Sequence, residues 1–167
     1  MRSPEKYRKS IRIMLVLFII ALILSGITAF PLEWETSLLK GHENMLPDNF
    51  RDMLGRVREG VVQTNRSFPF MAYGTDWLAF SHIVIALFFL PVYRNPVAYR
   101  LNVDIGIGAC ILIFPLAFCC GPVRHIPFFW QLIDCSFGFF GGVLLLRIRN
   151  RILALQSHLS NSPTHHP

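Results

Sequence analysis

The sequence predicts an all-α integral membrane protein, a four-helix transmembrane up-down bundle with a helical external loop between spans one and two. Hydrophobic residues make up 53% of the 167 residues and charged residues only 16%, whereas about 25% of a soluble domain is charged. The apolar residues are also concentrated in four long runs. Because a transmembrane helix needs ~20 mostly apolar residues, each run predicts one span. Too little polar sequence is left for an ordinary soluble enzyme or a second large domain.

The four runs differ in how they begin and end. They predict spans at about residues 13–30, 77–93, 103–121 and 126–146. Pro31 ends the first run, Asp76 and Arg94 flank the second, and the fourth contains one acid, Asp134. The first run is longer than the ~7–15 apolar residues of a cleavable signal peptide. It is therefore expected to stay in the protein as a span.

More Lys and Arg residues flank the predicted spans on one side of the membrane than on the other, and this bias predicts the orientation of the chain in the membrane. The basic flanks are the N-terminus, the turn between spans two and three and the segment after span four, with Arg2, Lys6, Arg8, Lys9, Arg12, Arg94, Arg100, Arg147, Arg149 and Arg151. The opposite loops carry fewer cations, and the acids of the long loop balance them. Both termini are therefore predicted to be cytoplasmic. The bacterial inner (plasma) membrane is the expected location, although an endomembrane protein would show the same bias.

The first external loop, about residues 31–75, is too long to be a simple connector. Pro31 to Gly41 predicts a short helix, and Asp48 is expected to cap a second helix that runs to about Thr64. Apolar residues recur along this second helix at helical spacing, and its other face is charged. It can lie on the membrane, pack on the bundle or bind a partner through residues 48–64. Residues 1–156 are predicted to form one membrane domain, followed by a disordered tail at 157–167.

Small residues are expected to bring the spans together, because lipid gives helices no hydrophobic reason to associate. The predicted packing stripes are Ala21, Ser25 and Ala29 in span one, Ala79, His82 and Ala86 in span two, Gly106, Cys110, Ala117 and Gly121 in span three, and Gln131, Asp134, Gly138 and Gly142 in span four. Gly138 and Gly142 form a GxxxG match. This face is expected to pack inside the chain, with a homodimer or another membrane partner as the alternative.

Asp134 and His82 are the predicted catalytic residues. By helical rise, Asp134 lies about 10 Å and His82 about 7 to 8 Å from the outer surface, so the two groups are expected at similar depth. Around them, Arg124, His125, Gln131 and Asp76 are the predicted substrate-binding residues, because they cluster near the mouth of an outward-facing pocket. The alternative is a hydrogen-bonded clasp in which Asp134 pairs with His82, Gln131 or Arg124 and only fixes helix register.

No metal and no cofactor are predicted. The four cysteines, Cys110, Cys119, Cys120 and Cys135, form no CxxC motif, and small thiols pack well beside Gly and Ala. No HExxH motif is present, and His82 is the one histidine inside a predicted span. No basic patch interleaved with aromatic residues indicates nucleic-acid binding. The basic pI of about 9.6 fits contact with anionic lipid instead.

The function expected from these features is that of an accessory or scaffold subunit that binds a membrane partner. The first alternative is a membrane enzyme or carrier for a lipid-linked or small anionic substrate held by His82, Asp134 and Arg124. The second alternative is a proton- or ion-conducting subunit that uses Asp134. The sequence slightly favours the accessory subunit, because four helices hold little alternating-access machinery and no span is visibly broken into two halves.

Overall fold

The computed structural model describes residues 3–30 and 47–160, and the regular structure of these residues is helical throughout. The helices are α1 (Pro4–Ala29), α2 (Asp48–Ser67), α3 (Pro69–Leu87), α4 (Leu90–Arg94), α5 (Arg100–Val123) and α6 (Phe128–Ser160). Four helical segments are long and apolar enough to cross a bilayer: Pro4–Ala29, Pro69–Arg94, Arg100–Val123 and Phe128–Ser160. The prediction of an all-helical chain with four such helices is confirmed. The short helix predicted at Pro31 to Gly41 lies outside the described residues.

All four span-length helices extend beyond the predicted spans. Helix α3 begins at Pro69 rather than near residue 77, and α6 continues past residue 146 to Ser160. The continuation of α6 has a packing cause, because Ile148, Ile152 and Leu155 are fully buried and extend the same buried stripe. The first residues of the predicted tail, 157–160, are therefore helical, and the rest of that tail lies outside the described residues.

A break separates α3 from α4 inside the second apolar segment. Pro91 has no backbone N–H, so it cannot continue the hydrogen-bond pattern of α3. The Asn102 side chain on α5 donates from Nδ2 to the Phe88 carbonyl over 2.7 Å. A carbonyl without a donor is costly in an apolar environment, and Asn102 removes that cost. Because only the five residues of α4 follow the break, Pro69–Arg94 remains one span-length segment and is not divided into two halves.

The turn between α5 and α6 comes later than the sequence predicts. The predicted third span ends at residue 121, but α5 passes through Gly121 and Pro122 and ends at Val123. The Ile126 N–H bonds to the Gly121 carbonyl at 2.9 Å, and the His125 N–H bonds to the Pro122 carbonyl at 3.1 Å. This pair of bonds is the Schellman pattern, which satisfies the last carbonyls of a helix. The bonding pattern, rather than the Gly-Pro pair, sets the end of α5.

The chain divides into two compact units. The middle unit comprises Ile20 to Leu87, and the terminal unit comprises the chain up to Ile19 together with the chain from Phe88 onward. Among the residues that the structure describes, the large side chains that are fully buried all belong to the terminal unit: Ile11, Leu15, Val92, Val103, Leu145, Ile148, Ile152 and Leu155. Aliphatic packing of α1, α4, α5 and α6 therefore builds the core of this unit.

Helices α5 and α6 pack antiparallel in the terminal unit, since contacts that move forward along α5 move backward along α6. A Cβ added at Gly138 would lie 2.8 Å from the Cys110 carbonyl oxygen, and one added at Gly142 would lie 3.5 Å from the Cys110 Cβ. Only a residue without a side chain allows the backbones this close at Gly138. The GxxxG face of α6 is therefore covered by α5 within the chain, as the sequence analysis expected.

The middle unit contains a second close contact between helices. A Cβ added at Gly26 would lie 2.7 Å from the Ala79 carbonyl oxygen and 3.2 Å from the His82 Cβ. The predicted contact surface of α1 consists of Ala21, Ser25 and Ala29 instead. Gly26 is buried whereas Ala21 is exposed, so that assignment is wrong in its register.

Helix α2 also begins differently from the prediction. Asp48 was expected to be the N-cap, but Pro47 holds that position and makes no side-chain capping bond. Asp48 lies one position further on, inside the first turn. Its carboxylate lies 3.5 Å from the Arg51 guanidinium and is 91% exposed. Apolar Leu54 is buried while Arg56 and Glu59 are exposed, as the predicted amphipathic pattern requires.

Candidate functional site

Gln131, a predicted substrate-binding residue, is built into the turn between α5 and α6. Its Nε2 donates to the Ile126 carbonyl over 2.8 Å, and the residue is only 5% exposed. The side chain rests directly on Gly121, because a Cβ added at Gly121 would lie 2.5 Å from Gln131 Cδ. The amide therefore joins the two helices and satisfies a backbone carbonyl.

His125 and Arg124 lie on the same turn and are both exposed. His125 has a φ of 55°, which is the left-handed conformation that the residue after a helix commonly adopts. This backbone position gives His125 a conformational role. The Arg124 N–H bonds to the Cys120 and Gly121 carbonyls at 3.0 and 3.2 Å. Its guanidinium makes no ion pair with the described residues of the terminal unit.

Asp134, the predicted catalytic acid, is exposed. Gln131, Cys135 and Gly138 form the buried face of this part of α6, and Asp134 lies at the edge of that face because each residue turns the helix by about 100°. Within the terminal unit, its carboxylate makes no hydrogen bond or ion pair with described residues. The structure therefore does not form the predicted clasp with Gln131 or Arg124. Asp134 is therefore exposed at the edge of the predicted small-residue face rather than buried within it.

His82 and Asp76 belong to the middle unit, and both are half-buried on α3. The His82 Nδ1 lies 2.9 Å from the Leu78 carbonyl oxygen, one turn earlier on the same helix. This contact favours the tautomer in which Nδ1 carries the proton. Because His82 and Asp134 lie in separate units, their pairing stays a prediction.

An ion cluster that the sequence analysis missed joins α5 to α6. Asp104 accepts a hydrogen bond from Arg149 Nε at 2.7 Å, and Arg100 Nε lies 3.5 Å from its other carboxylate oxygen. Residue type alone did not single out Asp104, which lies at the start of the predicted third span. Its position one turn after Arg100 was a usable signal, since residues four apart face each other on a helix.

A basic cleft, which the sequence also did not predict, lies between α1 and α6. Tyr7, Arg147, Asn150 and Arg151 line this open cleft of about 430 Å³. The Tyr7 ring lies 5.5 Å from the His158 ring, centroid to centroid. Nearby on α1, the Arg12 guanidinium lies 5.3 Å from the centre of the Tyr93 ring. The basic residues that predicted the orientation are thus partly organised into a defined surface.

A second open cleft, of about 450 Å³, borders α2 and is lined by Leu54, Gly55, Arg58, Glu59, Val62, Gln63, Arg66 and Ser67. Its lining does not include the residues assigned to the outward-facing pocket, which are His82, Asp134, Arg124, His125, Gln131 and Asp76. Among the residues that the structure describes, no three His, Cys, Asp or Glu side chains are grouped so that they could hold a metal ion. No protein-family model, curated protein or solved structure matches this chain.

Proposed function

We propose that the chain is a small multi-pass membrane protein that acts as an accessory or scaffold subunit and binds a membrane partner through the Asp134 side of α6. Asp134 supports this proposal, because it is exposed within a span-length helix. Its carboxylate has no polar partner among the described residues of its unit. Both termini are proposed to be cytoplasmic, in a bacterial inner membrane.

The free-energy cost of placing the Asp134 carboxylate in lipid favours a partner helix on the Asp134 side of α6. An Asp at the centre of a transmembrane helix costs ~2.5–3.5 kcal/mol on insertion scales. A basic or hydrogen-bond-donating side chain from another transmembrane helix offsets this cost. Exposed Phe137 lies one turn from the carboxylate on the same side of α6, and it supplies apolar surface for such a helix to pack on.

The negative charge of Asp134 favours a different protein, rather than a second copy of this chain, as the partner on the Asp134 side of α6. A symmetric homodimer through Asp134 would bring two carboxylates together, and like charges in lipid repel. The alternative face at Gly138 and Gly142 is already covered by α5. A partner on α2 residues 48–64 is a further option, since its charged side chains Arg56 and Glu59 are exposed while Leu54 is buried.

Crosslinking in the native membrane tests this proposal. A photoreactive amino acid replaces Phe137, which is 66% exposed and lies three residues from Asp134, on the same side of the helix. The same probe at the fully buried Leu145 is the negative control. We expect one defined adduct from the Phe137 position, and we expect Asp134→Asn to abolish it. Ser136→Ala is the matched control, because the Ser136 hydroxyl already donates locally to the Ile133 carbonyl.

The proposal is wrong if the Asp134→Asn chain is folded and still gives the full adduct, or if no protein adduct forms at Phe137. The two other functions have different signatures. A catalyst or carrier would lose turnover or transport with Asp134→Asn while remaining without a protein partner. A proton-conducting subunit would lose proton flux in vesicles that contain only this chain.

Orientation needs a separate test. In a chain without native cysteines, Ser3→Cys and Arg124→Cys place single thiols at two exposed positions. If the termini are cytoplasmic, a membrane-impermeant maleimide labels Arg124→Cys in intact cells and labels Ser3→Cys only after permeabilisation. The reverse pattern would overturn the proposed orientation without affecting the proposed partner surface.

A further inference from the structure

The cleft between α1 and α6 combines two arginines, which have no ion-pair partner among the described residues, with two neutral hydrogen-bonding groups. Arg147 and Arg151 lie one turn apart on α6, and Asn150 lies between them. Tyr7 contributes its phenol from α1. Because side chains from two separate helices line the cleft, it is a concave surface rather than a charged stripe on one helix.

Three other arginines of the terminal unit differ from Arg147 and Arg151 because they have partners. Arg149 and Arg100 are paired with Asp104, and Arg12 is stacked over Tyr93. Within the part of the chain that the structure describes, neither Arg147 nor Arg151 forms an ion pair. Two cations in one cleft without an acidic partner favour an anionic ligand.

Packing of a neighbouring face of α6 limits the direction of these side chains. Ile148, Ile152 and Leu155 are fully buried in the core of the terminal unit. Arg147 and Arg151 each precede a buried residue by one position, about 100° around the helix, so they lie beside the buried stripe, where Arg147 is exposed and Arg151 is half-buried. The ring contact between Tyr7 and His158 ties α1 to the same part of α6. The cleft is therefore held in place by the fold and does not depend on the ligand.

Ligand chemistry follows from the donors. A guanidinium group offers a planar set of N–H donors that matches phosphate oxygens, and the amide and the phenol can donate to the remaining oxygens. The cleft also lies directly after the apolar run that ends at about residue 146. In a membrane-spanning helix, this is the depth of the lipid headgroups.

We propose that the cleft of Tyr7, Arg147, Asn150 and Arg151 is a binding site for a phosphate-bearing anion, the headgroup of an anionic phospholipid. Basic pockets between transmembrane helices on the cytoplasmic side bind such headgroups. The site is separate from the Asp134 surface, so it does not depend on the proposed partner. A free phosphate ion carries the same chemistry, and the experiment distinguishes the two sources.

The test measures thermal unfolding of the purified full chain in a neutral detergent. Three additions are compared: phosphatidylglycerol, phosphatidylcholine and inorganic phosphate. Phosphatidylglycerol is expected to raise the unfolding midpoint and phosphatidylcholine is not. In the Arg147→Gln/Arg151→Gln double variant, we expect binding of phosphatidylglycerol to weaken by roughly tenfold or more, because each cation near an anionic surface contributes substantially. The Arg56→Gln/Arg94→Gln variant loses the same charge at two exposed positions outside the cleft and should keep the response.

The outcomes of the unfolding experiment identify the ligand or overturn the proposed site. If phosphatidylglycerol acts and inorganic phosphate at the same concentration does not, the headgroup of a lipid is the ligand. If inorganic phosphate acts equally and the double variant abolishes the effect, the site is retained but its ligand is a soluble phosphate. The proposal is overturned if the double variant keeps the full response, if the control variant loses it equally, or if neither anion binds. Should the double variant misfold, Arg147→Gln alone provides the test, since Arg147 is exposed.

Discussion

The Arg149 guanidinium donates from Nε to Asp104 Oδ1 over 2.7 Å and thereby joins α6 to α5. Both side chains are partly exposed, at 39% and 30%, so solvent weakens their attraction. Arg100 lies near the second oxygen of the same carboxylate. The acid thus fixes the register of two antiparallel helices at the end of the terminal unit where the orientation signal is concentrated.

This pair should be energetically coupled. We expect Asp104→Asn and Arg149→Gln each to lower the free energy of unfolding, and the double variant to lower it by less than the two effects added together. The coupling should be about 0.5–1 kcal/mol, as for partly exposed ion pairs. Reversible denaturation in detergent at low salt measures it, with Arg147→Gln in place of Arg149→Gln as the uncoupled control. Purely additive effects would show that the bond contributes nothing to stability.

Any side chain at position 138 should destabilise the contact between α5 and α6. Gly138→Ala would place its Cβ 2.8 Å from the Cys110 carbonyl oxygen, so the two backbones must separate. We expect a loss of about 1–3 kcal/mol, the range for overpacked positions, read as a lower thermal midpoint. Gly108→Ala is the matched control on α5, because nothing described lies within 4 Å of its added Cβ. It should be neutral or stabilising by up to about 1 kcal/mol through helix propensity. Equal midpoints for the two variants would contradict the contact.

His125 should respond to backbone conformation rather than to its imidazole. Its φ of 55° is a conformation that costs a residue with a Cβ about 1–2 kcal/mol. His125→Gly is therefore expected to keep or raise the thermal midpoint, whereas β-branched His125→Val should lower it. If the imidazole instead binds a substrate, both variants would lose that binding to the same extent, and ligand-dependent stabilisation of the wild type would disappear in His125→Gly.

Asp134 and Gln131, one turn apart on α6, should behave in opposite ways in the isolated protein. Asp134→Leu removes a carboxylate that has no partner in its unit, so the thermal midpoint should stay or rise. Gln131→Leu leaves the Ile126 carbonyl without its donor, which should cost about 1–3 kcal/mol. Differential scanning fluorimetry of both variants, purified without other proteins, compares the two effects. If Asp134→Leu lowers the thermal midpoint strongly, Asp134 has a partner inside the protein. That result would favour the internal clasp and remove the support for a membrane partner.

Most of the fold could be predicted from the sequence because its strongest signal is long and one-dimensional. Runs of about 20 apolar residues specify helices that can cross a bilayer whatever they pack against. The ends of helices were predicted less well, because the Schellman bonds at His125 and Ile126 and the buried stripe of Ile148 and Ile152 depend on contacts. A Gly-Pro pair or the last apolar residue of a run does not reveal those contacts.

Part of the candidate site could likewise be predicted from the sequence, and part could not. Residue type alone identified Asp134 as exceptional, since an acid within an apolar run is costly wherever it faces. Sequence could not assign its face, and it grouped Asp134 with Gln131, although the amide is committed to Ile126. The basic cleft was missed because Tyr7 and Arg151 are far apart in sequence, and only helix packing brings them together.

The sequence by itself determined the helical class, the four span-length segments and the presence of an unusual acid, because these follow from composition and periodicity along one chain. Tertiary structure alone decided that Gly138 packs on Cys110, that Asp104 joins Arg149, that Gln131 closes a turn and that Arg147 and Arg151 share a cleft with Tyr7. Such choices depend on which faces of separate helices meet, and that is set by the packing of side chains against one another rather than by local propensity.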